Sequence, residues 1–451
     1  MNTPAANHAE AHDLVFTVNP GGTLQGDIRV PGDKSISHRA IMLGALAEGL
    51  TTVEGFLEGE DSLATLQVFR DMGVDIQRPA PGRVVINGVG IDGLQAPSAP
   101  LYLGNSGTSM RLLAGLLAGQ RFASVLTGDS SLSKRPMRRV TEPLRAMGAN
   151  ITLRDGGFAP IEIRPARLQP IDYVMPVASA QVKSCLLLAS LRVEGETRLI
   201  EPAPCRDHTE RMLRGFGYPV RSNGNEVRIA GGGHLRAGPI DVPADISSAA
   251  FFLVGASIKP GADLVLRHVG INPTRTGIIN VLRLMGASIE VLREYEAGGE
   301  PVADLRVRHA PLKGIDIPED QVPLAIDEFP ALFIAAACAE GETVLSGAEE
   351  LRVKESDRIQ TMADGLATLG VRHEVRPDGI VIEGKGGKPL GHGTINSHGD
   401  HRIAMSFTMA ALCADGPLTL LDCNNVATSF PGFPDLVERC GMQLSIGREG
   451  K

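Results

Sequence analysis

At 451 residues the chain is longer than one hydrophobic core ordinarily serves, so two or more domains are expected. Its composition, 43% hydrophobic and 21% charged, is that of a soluble globular protein, while the net charge of −8 argues against nonspecific nucleic-acid binding, which needs a basic surface. Aromatics at 4%, with no Trp, also argue against base stacking on aromatic platforms.

The six cysteines, Cys185, Cys205, Cys338, Cys413, Cys423 and Cys440, are scattered without a CxxC pair, so neither a zinc site nor a redox motif is signalled. Free thiols fit a reducing cytosol. The first twenty residues lack a basic stretch followed by an apolar one, so no signal peptide is expected. The longest apolar run, residues 331–339, is too short to span a bilayer. A cytoplasmic protein is the expectation.

In chain order, the first unit opens at Pro31-Gly32-Asp33-Lys34-Ser35-Ile36-Ser37-His38-Arg39 and runs into an apolar helix, AIMLGALA. An amphipathic helix, SLATLQVFRDMG, ends it at Met72-Gly73. The second opens at Gly104-Asn105-Ser106-Gly107-Thr108-Ser109-Met110-Arg111 with LLAGLLA, then Lys134-Arg135-Pro136, and ends at Met147-Gly148. The third opens at Gln181-Val182-Lys183 with SCLLLASL and ends at Phe216-Gly217. After an expected domain break in residues 238–243, AAFFLVGA leads to Met285-Gly286. ALFIAAACA leads past Arg352-Val353-Lys354-Glu355-Ser356-Asp357-Arg358 to Leu369-Gly370, and Asp400-His401-Arg402 with IAMSFTMAALCA leads to Cys440-Gly441. The terminating glycines are spaced at 75, 69, 69, 84 and 71 residues, which marks six repeats. Each glycine stops a helix in the left-handed conformation before a strand. The upstream helices are apolar on every side and therefore buried. A solenoid of stacked repeats is one reading. Wholly apolar helices favour a closed α/β arrangement with helices inside and sheets around them.

Basic residues cluster where the buried helices begin. A helix start carries partial positive charge and favours acids or hydroxyls, so cations gather there at a cost unless an anion lies between them. Any single Lys or Arg reads most simply as a solvated surface charge. Repetition across units points to a site for several phosphates or carboxylates. As helical neighbours, Lys354 and Arg358 would share a face, as would Ser35 and Arg39. Asp327 reads as an N-cap ahead of ALFIAAACA, Glu355 as a first-turn acid, and Asp400-His401-Arg402 as an N-cap with an anion ligand rather than a metal site. No GxxxxGK[ST] or HExxH motif occurs.

The stretches PGDKSISHR, LGNSGTSMR, KRPM, SAQVKS, RVKESDRI and GDHRIAMSF resemble those of 5-enolpyruvylshikimate-3-phosphate synthases, in family order from about Gly22 to Gly441. The resemblance implies an α/β fold of two inside-out barrel domains, each of three βαβαββ repeats: 32–241, and 1–31 joined to 242–451, with the active site in the cleft between them. It implies transfer of an enolpyruvyl group from phosphoenolpyruvate to shikimate 3-phosphate, with no cofactor, metal, nucleic acid or membrane. Lys34 would bridge both substrates. Ser35, Arg39, Ser179, Ala180 and Gln181 would hold shikimate 3-phosphate, with Thr108 and Arg206 at its phosphate. Gly107, Arg135, Gln181, Arg358 and Arg402 would hold phosphoenolpyruvate. Asp327 and Lys354 would lie at the reacting hydroxyl, and Glu355 would be the second acid–base group. These ligands fall on both sides of residue 242, so two cationic walls are expected to repel when empty and to close on an anion.

Thr428 stands where many family members have Lys, which, with GDKSISHR, SAQVKS and Arg206-Asp207-His208-Thr209-Glu210, resembles the second, bacterial class. Gly107 stands where the best-known members of that class have Ala. The inhibitor glyphosate is implied as an occupant of the phosphoenolpyruvate site. A sister enolpyruvyl transferase acting on UDP-N-acetylglucosamine uses a reactive cysteine in a Pro-Arg-x-Gly-Gly-Cys loop, and no such loop occurs here. A noncatalytic anion-binding protein on the same scaffold would not need Asp327 and Glu355 together.

Overall fold

The computed structural model describes residues 13–448, a mixed α/β structure with six sheets, one for each sequence repeat. The second repeat shows the unit plainly: strand Leu101–Tyr102, helix Gly107–Ala118, strand Ser124–Thr127, helix Arg138–Ala146, then the strands Asn150–Arg154 and Phe158–Arg164. The first two strands are parallel, joined through a helix as parallel strands require, and the last two form an antiparallel hairpin. The six repeat glycines stand at φ between 65° and 99°, the left-handed region that a Cβ disfavours. The apolar helices are the interior: all of Ile246–Ile258 is buried, as is nearly all of Phe329–Cys338.

The arrangement is closed. Pro239–Asp241, after the third repeat, lies parallel to Glu48–Glu54 of the first, so three repeats return on themselves and no open solenoid forms. The segment ahead of the first repeat joins the second group. Gln25–Ile28 pairs with Asp263–Gly270, and Leu14–Val18 lies between Leu418–Leu421 and Leu444–Arg448. One apolar core draws on residues from Ile36 to Val242, and the other on Phe16 to Val30 together with Ala244 to Leu444. The chain passes between them twice, side by side. Asp33 N donates to Pro243 O at 2.7 Å and Asp245 N to Pro31 O at 2.9 Å. A Cβ on Gly32 would lie 1.9 Å from Gly55 O, so only glycine allows this approach.

Two local expectations are corrected. Asp357 caps the helix Arg358–Thr368 by accepting from Gln360 N, which starts the helix at Arg358. Lys354 instead follows the 3-10 turn Glu349–Val353, so it shares no helix face with Arg358. Asp327 is not a cap either: Glu328 occupies that place ahead of Phe329–Cys338, and its side chain makes no capping bond. Asp327 therefore stays available for another role. Among the described residues no helix is long and apolar enough to cross a membrane.

Candidate active site

A cleft of about 1100 Å³ opens between the two cores. Lys34, Ser35, Gly107, Thr108, Arg135, Ser179, Ala180, Gln181 and Arg206 line it from one side, and Asp327, Lys354, Glu355 and Arg402 from the other. The helix starts explain this gathering. Lys34, Gly107, Ala180 and His401 each open a buried helix, capped by Asp33, Ser106, Ser179 and Asp400 respectively. Their free N–H groups and positive ends suit an anion.

Asp327 is the electrostatic centre of the second wall. Its carboxylate accepts from Arg206 at 2.5 Å and from Arg358 at 3.3 Å, with Lys354 Nζ at 3.5 Å. Arg402 donates to its backbone carbonyl at 3.0 Å. Burial pushes the Asp327 carboxyl up, but Lys354, Arg206, Arg402 and Arg358 together hold it well below the usual carboxylate range. Glu355 accepts from Arg358 at 2.6 Å and lies 3.9 Å from Arg135. Burial again raises it, and Arg358, Arg135, His401 and Lys34 bring it well below its ordinary value.

Both folded carboxyls lie below their ordinary values of 3.8 and 4.5, so their stabilisation is present above those values and lost as pH falls through the folded ones. Asp327→Asn should therefore melt lower than wild type at neutral pH. The gap should narrow only in acid below pH 3.8, the ordinary aspartate value. A thermal melting series against pH checks this, and a gap independent of pH contradicts it.

Two predicted ligands stand behind the walls. Arg39, 4% exposed, donates to Thr209 Oγ1 at 2.7 Å, Ser35 O at 2.8 Å and Ser184 Oγ at 2.8 Å, so its fork is spent holding the helix that presents Ser35. Arg358, 1% exposed, is held by Asp400 at 2.8 Å and reaches Asp327 and Glu355 from the rear. Lys183, grouped with the helix-start cations, also departs from expectation. It is buried against Glu201 and Glu210, and its own acids supply the anion. Cation clusters in sequence cannot distinguish these cases, because the acids that neutralise Lys183 and Arg358 stand tens of residues further along the chain.

The sequence reading gave no ligand role to several cleft residues. Arg111 donates to Gln181 Oε1 at 2.6 Å, and Gln181 in turn to Thr108 Oγ1 at 3.1 Å. Burial, with Arg135 and Arg139 nearby, brings the Arg111 guanidinium down to about 10, a mark of crowded positive charge. Asp61 pairs with Lys34 at 3.1 Å. His401 lines the cleft, and burial with Lys34 and Arg402 nearby drops its imidazole well below its usual value. The walls are thus mixed in charge rather than purely cationic. Arg206–Asp327 at 2.5 Å, Arg139–Glu350 at 3.1 Å and Arg135–Glu355 at 3.9 Å cross the cleft. Thr428 lines it as well, its hydroxyl donating to Asn425 O at 2.7 Å. Among the described residues no group of three or more His, Cys, Asp and Glu could hold a metal ion.

The chain matches the family described as EPSP synthase (3-phosphoshikimate 1-carboxyvinyltransferase) over residues 18–437. It is 67% identical to the 3-phosphoshikimate 1-carboxyvinyltransferase of Methylococcus capsulatus over 435 residues, covering 96% of this chain and 99% of that protein. It is equally 67% identical to that of Alkalilimnicola ehrlichii, covering 96% and 97%. A solved EPSP synthase from Acinetobacter baumannii is 59% identical and superposes with a TM-score of 0.88, covering 96% of this chain and all of the other. The fold is accordingly the two-domain α/β fold of those enzymes, and the chain belongs to the EPSP synthase (3-phosphoshikimate 1-carboxyvinyltransferase) family.

Proposed function

We propose that this enzyme transfers the enolpyruvyl group of phosphoenolpyruvate to the 5-hydroxyl of shikimate 3-phosphate and releases phosphate, a step toward chorismate and the aromatic amino acids. The supporting observation is one cleft in which cations from both cores surround two carboxylates, Asp327 and Glu355. We assign shikimate 3-phosphate to Lys34, Ser35, Ser179, Ala180, Gln181, Arg206 and Lys354, with Arg39 supporting Ser35 from behind. Phosphoenolpyruvate lies at Lys34, Gly107, Arg135, Gln181 and Arg402, with Arg358 behind the acids. Glyphosate competes for that second site. The domains are residues 32–241 and residues 1–31 with 242–451, of which 1–12 and 449–451 lie outside the described residues. The enzyme works in the cytoplasm, and its partners are small molecules rather than nucleic acid or membrane.

The 5-hydroxyl oxygen attacks C2 of phosphoenolpyruvate, and its proton passes to Asp327, already ionised and beside Lys354. The C2–C3 electron pair takes a proton from Glu355, giving a tetrahedral intermediate. For this Glu355 must first gain a proton. Binding the substrate's carboxylate and phosphate cancels the charge of Arg135 and Lys34, two of the cations that hold Glu355 down, which lets its pKa rise. C3 then returns a proton and phosphate leaves, so one phosphate appears per enol ether formed. The fork of each guanidinium matches the substrate's two anionic groups.

The test is phosphate release from phosphoenolpyruvate and shikimate 3-phosphate mixed with the protein. No release from the pair, or equal release with UDP-N-acetylglucosamine as acceptor, overturns the reading. Cys205 is the cysteine at the cleft, and burial pushes its thiol up to about 12. That is the opposite of an activated thiol and disfavours the sister reaction.

Because salt screens the exposed Arg139–Glu350 pair that crosses the cleft, the empty cleft should open at high ionic strength and shikimate 3-phosphate should close it. Small-angle scattering in high salt should show that compaction, and identical dimensions with and without the ligand contradict it.

A further inference from the structure

Where the chain crosses between cores, a third segment meets the two crossovers. It ends at Arg275, a residue 3% exposed in the stretch Asn272-Pro273-Thr274-Arg275. Arg275 Nη1 donates to Asp33 Oδ2 at 3.0 Å. Its Nη2 donates to Asp245 Oδ1 at 3.2 Å and Ser247 Oγ at 2.6 Å, and lies 3.8 Å from Glu328 Oε1. Ser247 Oγ donates to that same Glu328 oxygen. Behind Arg275, His208 Nε2 stands 3.4 Å from Nη1, while its Nδ1 pairs with Glu300 at 2.7 Å.

Asp33 directly precedes Lys34 and caps its helix, while Asp245 Oδ2 accepts from Lys34 N at 3.2 Å. Glu328 directly follows Asp327 and is 2% exposed. One guanidinium therefore grips the backbone neighbours of a cleft lysine from the first core and of a cleft carboxylate from the second. The planar fork fixes direction as well as distance, because its two arms hold two carboxylates at once. Three buried carboxylates around one Arg also make this junction costly to disturb. Burial pulls the guanidinium down, yet Asp33, Asp245 and Glu328 raise it overall.

We propose that Arg275 is a positioning residue for the transfer reaction: through Asp33, Asp245 and Glu328 it sets the separation and orientation of Lys34 and Asp327 across the cleft. The inference rests on the proposed roles of those two residues. Arg275 itself acts through its partners, since its terminal nitrogens are already engaged.

The test is a cycle of Arg275→Lys, Glu328→Gln and the double variant, with Asp327→Asn measured beside them. Melting temperature, kcat per folded molecule and KM for each substrate are recorded. A lysine keeps the charge but cannot hold Asp33 and Ser247 together. Arg275→Lys should lower kcat about tenfold or more with KM little changed, because misplacing a reacting group harms the transition state more than binding. Glu328→Gln should lower kcat in the same way, and the double variant should lose no more than Arg275→Lys alone.

A lower melting temperature with unchanged kcat would show a purely structural role, and losses that multiply would show that Arg275 does not act through Glu328. Should Arg275→Lys fail to fold, a wild-type kcat in Glu328→Gln overturns the proposal by itself. A near wild-type Asp327→Asn would instead sink the reading of the site, and this inference with it.

Discussion

Asp327→Asn and Glu355→Gln are each expected to lower turnover by roughly 10²-fold or more, with modest change in substrate affinity. The amides keep size and hydrogen bonding but cannot accept or return a proton. Asp327 is held ionised by four cations and has no capping duty, so the structure leaves it free for proton transfer. Its loss has a second effect. Arg206, Arg358 and Lys354 would keep their charges without the carboxylate they share, so anions should bind Asp327→Asn at least as well as wild type. A fall in kcat with an unchanged or lower KM is the signature to look for. Steady-state kinetics with phosphate release as the readout decides it, and near wild-type turnover in either variant removes that residue from the chemistry.

Gly107→Ala is expected to weaken inhibition by glyphosate by roughly ten- to two-hundredfold, the scale of one misplaced methyl group. Gly107 is the first residue of the helix Gly107–Ala118, where alanine is sterically ordinary, so the variant should fold. Its Cβ would stand 3.2 Å from both Arg111 Nη1 and Arg135 Nη1. Both guanidiniums must shift by a few tenths of an ångström, and both belong to the crowded positive end of the cleft. The added methyl thus acts in two ways, by filling space and by displacing Arg135. The longer inhibitor should feel both, while KM for phosphoenolpyruvate rises less. Titrating glyphosate at fixed phosphoenolpyruvate checks this. An insensitive wild type, or equal inhibition of both proteins, shows that Gly107 does not govern inhibitor binding.

The repeats, the buried helices and the left-handed glycines were legible in the linear order of residues. Each is a local property: 3.6-residue apolar periodicity without a polar face, and a φ that only glycine adopts freely. So were the cations at helix starts, and the motifs that carry the family resemblance. What the sequence could not rank was which cation faces the cleft. Lys34, Arg135 and Arg402 do, whereas Lys183 is neutralised by Glu201 and Glu210, and Arg39 spends its fork on Ser184, Thr209 and a carbonyl. Those partners lie 4 to 170 residues away along the chain. The cap position likewise needed the structure: Asp327 reads as the cap in sequence, whereas Glu328 takes the place before Phe329. The same holds for Arg275, which carries no motif and matters only because the two crossovers bring Asp33 and Asp245 together. Local backbone preference determines helices and turns from sequence alone. Whether a buried charge meets a substrate or another side chain is a balance of long-range partners, and only the tertiary structure decides it.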